Sequence, residues 1–144
     1  MEANKNGSLK AAATYSVESW KEEDWQTISP EMKMTKASVV FAFKEGIEGK
    51  VMEEYLMYYE SFDSKDPHKS SAEYIGMLRF EGKLGGKSGT FAADDSGFFE
   101  GGAAFSTLRI LEGSGTGELK GIKGTGKYRA DQKGSHFELE YELG

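Results

Sequence analysis

A chain of 144 residues with 38% hydrophobic residues, 29% charged residues and two prolines has the makeup of one globular domain, 1–144, whose polar start at 1–10 reads as a disordered tail. Eighteen Lys and Arg against 24 Asp and Glu leave a net charge of −6, which gives no electrostatic footprint for nucleic acid or an anionic membrane. Zero cysteines exclude disulfides, thiol catalysis and thiolate zinc sites, and His68 and His136 are too few for an imidazole-built metal centre, so neither metal nor cofactor is expected.

A first strand is expected around Lys10 to Trp20, followed by an irregular stretch from Glu22 to Met34 that carries Trp25 and Pro30. From Thr35 to Lys44, Ala37, Val39, Phe41 and Phe43 alternate with polar residues and predict a strand with a defined inner face. From Val51 to Tyr59, Tyr55, Met57 and Tyr59 share a face with Glu53, while Leu56 and Tyr58 lie opposite. Phe62 to Ser71 reads as a polar surface loop. In Glu73 to Gly82, Arg79 and Glu81 point outward, which leaves Tyr74, Leu78 and Phe80 inside. Gly89 to Phe99 places Asp95 on the parity of Phe91, Ala93 and Phe99, and Asp94 on the other. Ala103 to Leu111 is apolar on both parities, so its inner face is open. Thr125 to Ala130 and His136 to Leu143 complete the series, the last with Phe137, Leu139, Tyr141 and Leu143 inside.

Glycine-rich turns separate these strands, and connections that short require antiparallel neighbours. About eight such strands predict an all-β fold, a closed antiparallel barrel in which closure removes exposed edges. No apolar run approaches the ~18 residues of a membrane span, and no signal-peptide pattern opens the chain, so no membrane partner and a cytoplasmic location are expected.

Asp95 is the candidate catalytic residue. A carboxylate aimed into an apolar interior is desolvated, which raises its pKa toward the range useful for general acid or base chemistry. The competing reading is that Asp94-Asp95-Ser96-Gly97 forms a wet turn. Glu53, near a strand end, reads as solvated. Phe41, Phe43, Tyr55, Met57, Tyr59, Leu78, Phe80, Phe91 and Phe105 are the expected lining of a ligand cavity, with filled core as the alternative. Gly113 to Tyr128 lacks the GK[ST] ending of a phosphate loop, and Ser88, Ser106 and Ser114 lack a nucleophile elbow or a His base.

GSGTGELKGIKGTGKY at Gly113 to Tyr128, with KMTKASVVFAF at Lys33 to Phe43, EYLMYY at Glu54 to Tyr59, LGGKSGTF at Leu84 to Phe91 and FEGG at Phe99 to Gly102, resembles a bacterial family known as domain of unknown function 3224. The resemblance runs from about Ala11 onward. It implies an allene-oxide-cyclase-like barrel of eight antiparallel strands with a cavity, and no established reaction. The Gly-rich segment is also distantly similar to allene oxide cyclases and dirigent proteins. Leu78 and Asp95 stand where the family carries, respectively, a polar residue and often a His; a divergent natural member and an engineered variant both fit.

Three functions follow: a cofactor-free catalyst of proton transfer, isomerisation or cyclisation on a small apolar or aromatic ligand, with Asp95 as general base; a barrel that binds such a ligand without turnover; or a filled structural barrel. A homo-oligomer, most simply a dimer, is expected because Leu56, Tyr58, Leu108 and Ile110 leave bulky groups on whichever side is not the interior.

Overall fold

A computed structural model describes residues 8–144. The expected tail therefore falls largely outside the described residues, although Leu9 and Lys10 already belong to the first strand. Nine strands follow in chain order: β1 (Leu9–Thr27), β2 (Lys33–Glu45), β3 (Glu48–Ser61), β4 (Ser71–Leu84), β5 (Lys87–Glu100), β6 (Ala103–Ile110), the two-residue β7 (Thr116–Gly117), β8 (Lys123–Asp131) and β9 (Gly134–Glu142). β1 to β6 pair in sequence, β6 pairs with β8, β8 with β9, and β9 returns to β1 from Leu9↔Tyr141 to Thr14↔His136. All pairings are antiparallel, so the molecule is the expected closed eight-stranded barrel, with β7 as a short addition beside β5. Among the described residues no helix is long and apolar enough to cross a membrane.

Period-two alternation orients β2, β4, β5 and β9 as expected, and in β3, where both faces carry apolar residues, Glu53, Tyr55, Met57 and Tyr59 face inward. β1 departs from expectation: it continues to Thr27 through the stretch read as irregular, because Glu22 to Thr27 pair with Ala37 to Lys33 of β2. Among the described residues, no strand pairs with the other side of this strand beyond Thr14. Register shifts at Thr14/Tyr15, Val17/Ser19 and Asp24/Gln26, together with Lys21, Glu22, Glu23 and Asp24, break up that edge as a template for another chain.

The interior is layered. One end is apolar: Val51, Phe80 and Phe91 form one cross-strand row, Phe80 and Phe91 stack at 5.0 Å, and Leu119 and Ile122 from the Gly-rich segment are buried. That segment is thus part of the barrel core, tied down where Gly89 lets Thr116 O approach to 2.1 Å of the place a Cβ would take. Toward the other end the interior becomes polar and aromatic, with Tyr15, Tyr55, Tyr74 and Tyr128 gathered above Glu53 and Asp95.

Candidate functional site

The site grows from one cross-strand row. Tyr55 on β3, Gly76 on β4 and Asp95 on β5 are direct neighbours, and Leu108 on β6 follows. Because Gly76 has no side chain, the space beside Asp95 is filled by the neighbouring Glu53, whose Oε2 lies 2.6 Å from where a Gly76 Cβ would be. Two carboxyl groups, 1% and 3% exposed, are thereby brought together inside the barrel. Gly76→Ala is expected to lower stability by about 1–3 kcal/mol, since the new methyl meets both this carboxyl and the Glu54 carbonyl at 2.8 Å. Urea denaturation measures the loss.

As two ionised carboxylates the pair has no donor between them, and Glu53 Oε1, Glu53 Oε2 and Asp95 Oδ1 are buried without partners. One shared proton supplies the missing donor. Burial, then the hydrogen bond and charge of Asp95, push the Glu53 carboxyl up to about 11. Burial raises Asp95 as well, while the hydrogen bond from Tyr128 and the neighbouring Glu53 and Ser106 oppose the shift. Because Tyr128 donates to Asp95, the pair favours the shared proton on Glu53 and the charge on Asp95.

A hydrogen-bonded series leads from this charge toward the barrel mouth. Tyr128 donates its hydroxyl proton to Asp95 Oδ2 at 2.6 Å, so in the 2.5 Å contact between Tyr55 and Tyr128 it is Tyr55 that donates. Tyr74 is bonded to Ser106, and Gly97 between them leaves room for both hydroxyls. Burial foremost raises the pKa of Tyr55 and Tyr128, and that of Tyr74 to about 12, which keeps all three neutral and able to donate.

Above the tyrosines lies a cavity of about 130 Å³ whose wall includes Tyr15, Trp20, Phe41, Tyr55, Met57, Tyr74 and Tyr128. Trp20 is half exposed and stacks on Tyr55 with ring centres 6.2 Å apart. Its indole N–H donates to Glu22 Oε1 at 3.0 Å, while Tyr59 and Thr35 donate to Glu22 Oε2 at 2.8 and 2.6 Å. Glu22 thus fixes one wall of the mouth.

Of the expected lining, Phe41, Tyr55 and Met57 reach this cavity, and Tyr59 stands behind it on Glu22. Phe43 and Leu78 pack lower down around Glu53, where only about 10 Å³ is free, and Phe80 and Phe91 are core. Phe105 is a correction: it lies on the outer face, stacked on Phe98 at 5.2 Å, because Ser106, Leu108 and Ile110 are the inward residues of β6. Leu108 and Ile110 are therefore core and cannot contribute an outer apolar face. Glu53 is the second correction, buried rather than solvated. Asp95 is interior, and Asp94 is outside, paired with Arg109 at 2.6 Å. Tyr15, Trp20, Tyr74, Tyr128 and Ser106 complete the site; Tyr74 shared the inward parity of Leu78, but nothing in the local pattern distinguished it from core. Among the described residues no three His, Asp or Glu side chains come together as a metal site.

No curated protein matches the chain. A solved structure of a protein of unknown function from the DUF3224 family of Shewanella oneidensis MR-1 superposes with a TM-score of 0.72 at 19% identity, over 95% of this chain and 98% of that one. At that identity the likeness establishes the fold. The family model for a protein of unknown function, DUF3224, matches residues 11–143, and the chain belongs to that family.

Proposed function

We propose that the barrel binds a small flat apolar or aromatic molecule at its tyrosine-lined mouth and transfers a proton from it to Asp95, without metal or cofactor. The observation that carries this reading is the directed series Tyr55 to Tyr128 to Asp95, which joins the cavity wall to a buried charged carboxylate. Asp95 itself is not part of the cavity wall, so the base acts through the two hydroxyls. A ligand proton passes to Tyr55 Oη as the proton of Tyr55 moves to Tyr128 and that of Tyr128 to Asp95 Oδ2. Cavities of ~150 Å³ hold a benzene ring, so this one encloses a single ring, and a second fused ring would extend out of the mouth past the half-exposed Trp20. A cytoplasmic site of action belongs to the same reading.

An activated carbon acid tests it. In 1,2-benzisoxazole, loss of the C3 proton turns the C–H pair into the third bond of a nitrile as the N–O bond breaks and oxygen leaves as phenoxide. The protein is expected to accelerate this opening, and Tyr128→Phe, which interrupts the series, to lose the acceleration while binding persists. Binding is read from Trp20 fluorescence in a Trp25→Phe background. Acceleration that survives Tyr128→Phe overturns the relay. The placement of Asp95 behind the tyrosines also supports a second reading, binding without turnover; fluorescence quenching with no acceleration in the parent protein selects it.

A further inference from the structure

The cavity at the barrel mouth is an aromatic box above a buried negative charge. Its wall includes the rings of Tyr15, Trp20, Phe41, Tyr55, Tyr74 and Tyr128. Tyr15 meets Phe41 at 74° and Tyr128 at 90°, and Tyr55 meets Tyr74 at 84°, so these rings enclose a space instead of stacking into one layer. No Lys, Arg or His lines it. Beneath it the Glu53–Asp95 pair, with its shared proton, keeps one negative charge, and among the described residues neither carboxyl makes an ion pair. A buried charge without a counter-charge is costly, and a positive ligand above it offsets that cost.

The polar groups around the cavity point the same way. Tyr55 donates to Tyr128 and Tyr128 to Asp95, so along this series each hydroxyl turns its hydrogen toward the acid pair and its oxygen away from it. Aromatic faces are the negative side of the ring quadrupole and attract a cation within ~6 Å of the ring centre. At the rim, Glu22 accepts from the neutral groups of Trp20, Thr35 and Tyr59 and so keeps its charge beside the mouth. Lys33, the base next to Tyr59, is held by Asp24 at 3.1 Å. The wall offers few acceptors, so an ammonium with three N–H groups would leave most of them unpaired, whereas an alkylated nitrogen has none to satisfy.

We infer that the ligand of this cavity is a flat organic cation whose positive charge sits on a fully alkylated ring nitrogen. The inference rests on the reading of the cavity as the ligand site, and it holds whether or not a proton is then transferred. A single ring is what the cavity of about 130 Å³ encloses.

Calorimetric titration with N-methylpyridinium and with toluene, which has the same shape without the charge, tests it. N-methylpyridinium is expected to bind the parent protein at least ~10-fold more tightly than toluene. Glu53→Gln combined with Asp95→Asn removes the buried charge wherever in the pair it sits, and should weaken N-methylpyridinium at least ~10-fold while leaving toluene unchanged. Trp20→Leu, at a half-exposed position, keeps an apolar contact but removes an aromatic face, and should likewise weaken the cation and spare toluene. Toluene binding as tightly as N-methylpyridinium, or either variant weakening both probes alike, would overturn the inference and leave the cavity as a ligand site. Failure of both probes to bind would overturn the reading of the cavity along with it.

Discussion

Asp95→Asn is expected to reduce benzisoxazole opening by ~100- to 10,000-fold, the usual contribution of a general base, while Trp20 fluorescence still reports ligand binding. Asn has nearly the same shape and still accepts a hydrogen bond from Tyr128, so the tyrosine series stays in place and only its terminal proton acceptor is lost. Asp94→Asn is the matched control: Asp94 points outward and pairs with Arg109, and its removal should change neither rate nor binding. The pH profile follows from the charge state. Burial raises the Asp95 pKa above the ordinary carboxylate value, and the group accepts a proton only when ionised. The rate should therefore rise with pH through the raised pKa and level off above it. A rate that is independent of pH, or equal in the Asp95→Asn protein and its parent, would remove Asp95 from the chemistry.

The placement of Asp95 was legible because β5 alternates strictly: Phe91, Ala93 and Asp95 share a parity that apolar residues declare to be inward. The same logic holds for β2, β4 and β9. It failed where both parities are alike. In β6 large side chains occur on both faces, and the pattern does not place Phe105 outside, because the choice is made by the contact of Ser106 with Tyr74 over Gly97 of the intervening strand, a non-local contact. The burial of Glu53 is hidden from the pattern for a related reason. A buried Glu is rare, and its burial depends on Gly76 of the next strand leaving a space of the right size beside Asp95. Trp20 faces the cavity only because the register shift between Val17 and Ser19 reorients the strand there, and Glu22 then holds the indole. Period two thus reports which face of a strand is buried when the two faces differ in polarity. It carries no information on cross-strand vacancies or bulges, and these assemble the acid pair and the mouth above it.

The acid pair has a thermodynamic consequence that Glu53→Gln isolates. In the folded protein the Glu53 carboxyl is pushed up to about 11, from the ordinary value of about 4.5 that the unfolded chain retains. Between those values the folded state holds a proton that the unfolded state has released, so stability falls as pH rises, by at most about 1.4 kcal/mol per pH unit for one group. Asp95 is shifted in the same direction and contributes with the same sign. The other groups facing the pair are Tyr15, Tyr55, Tyr74 and Tyr128, all raised, so they do not titrate in that window. Gln keeps the size of Glu, offers an amide N–H to Asp95 in place of the shared proton, and has no proton to lose. The Glu53→Gln protein is therefore expected to match its parent near pH 5 and to exceed it increasingly toward pH 9, with the difference appearing as a growing gap between their urea midpoints. Parallel profiles would mean that Glu53 is ionised in the folded barrel, and with it the assignment of the proton to Glu53 and the charge to Asp95 would fall.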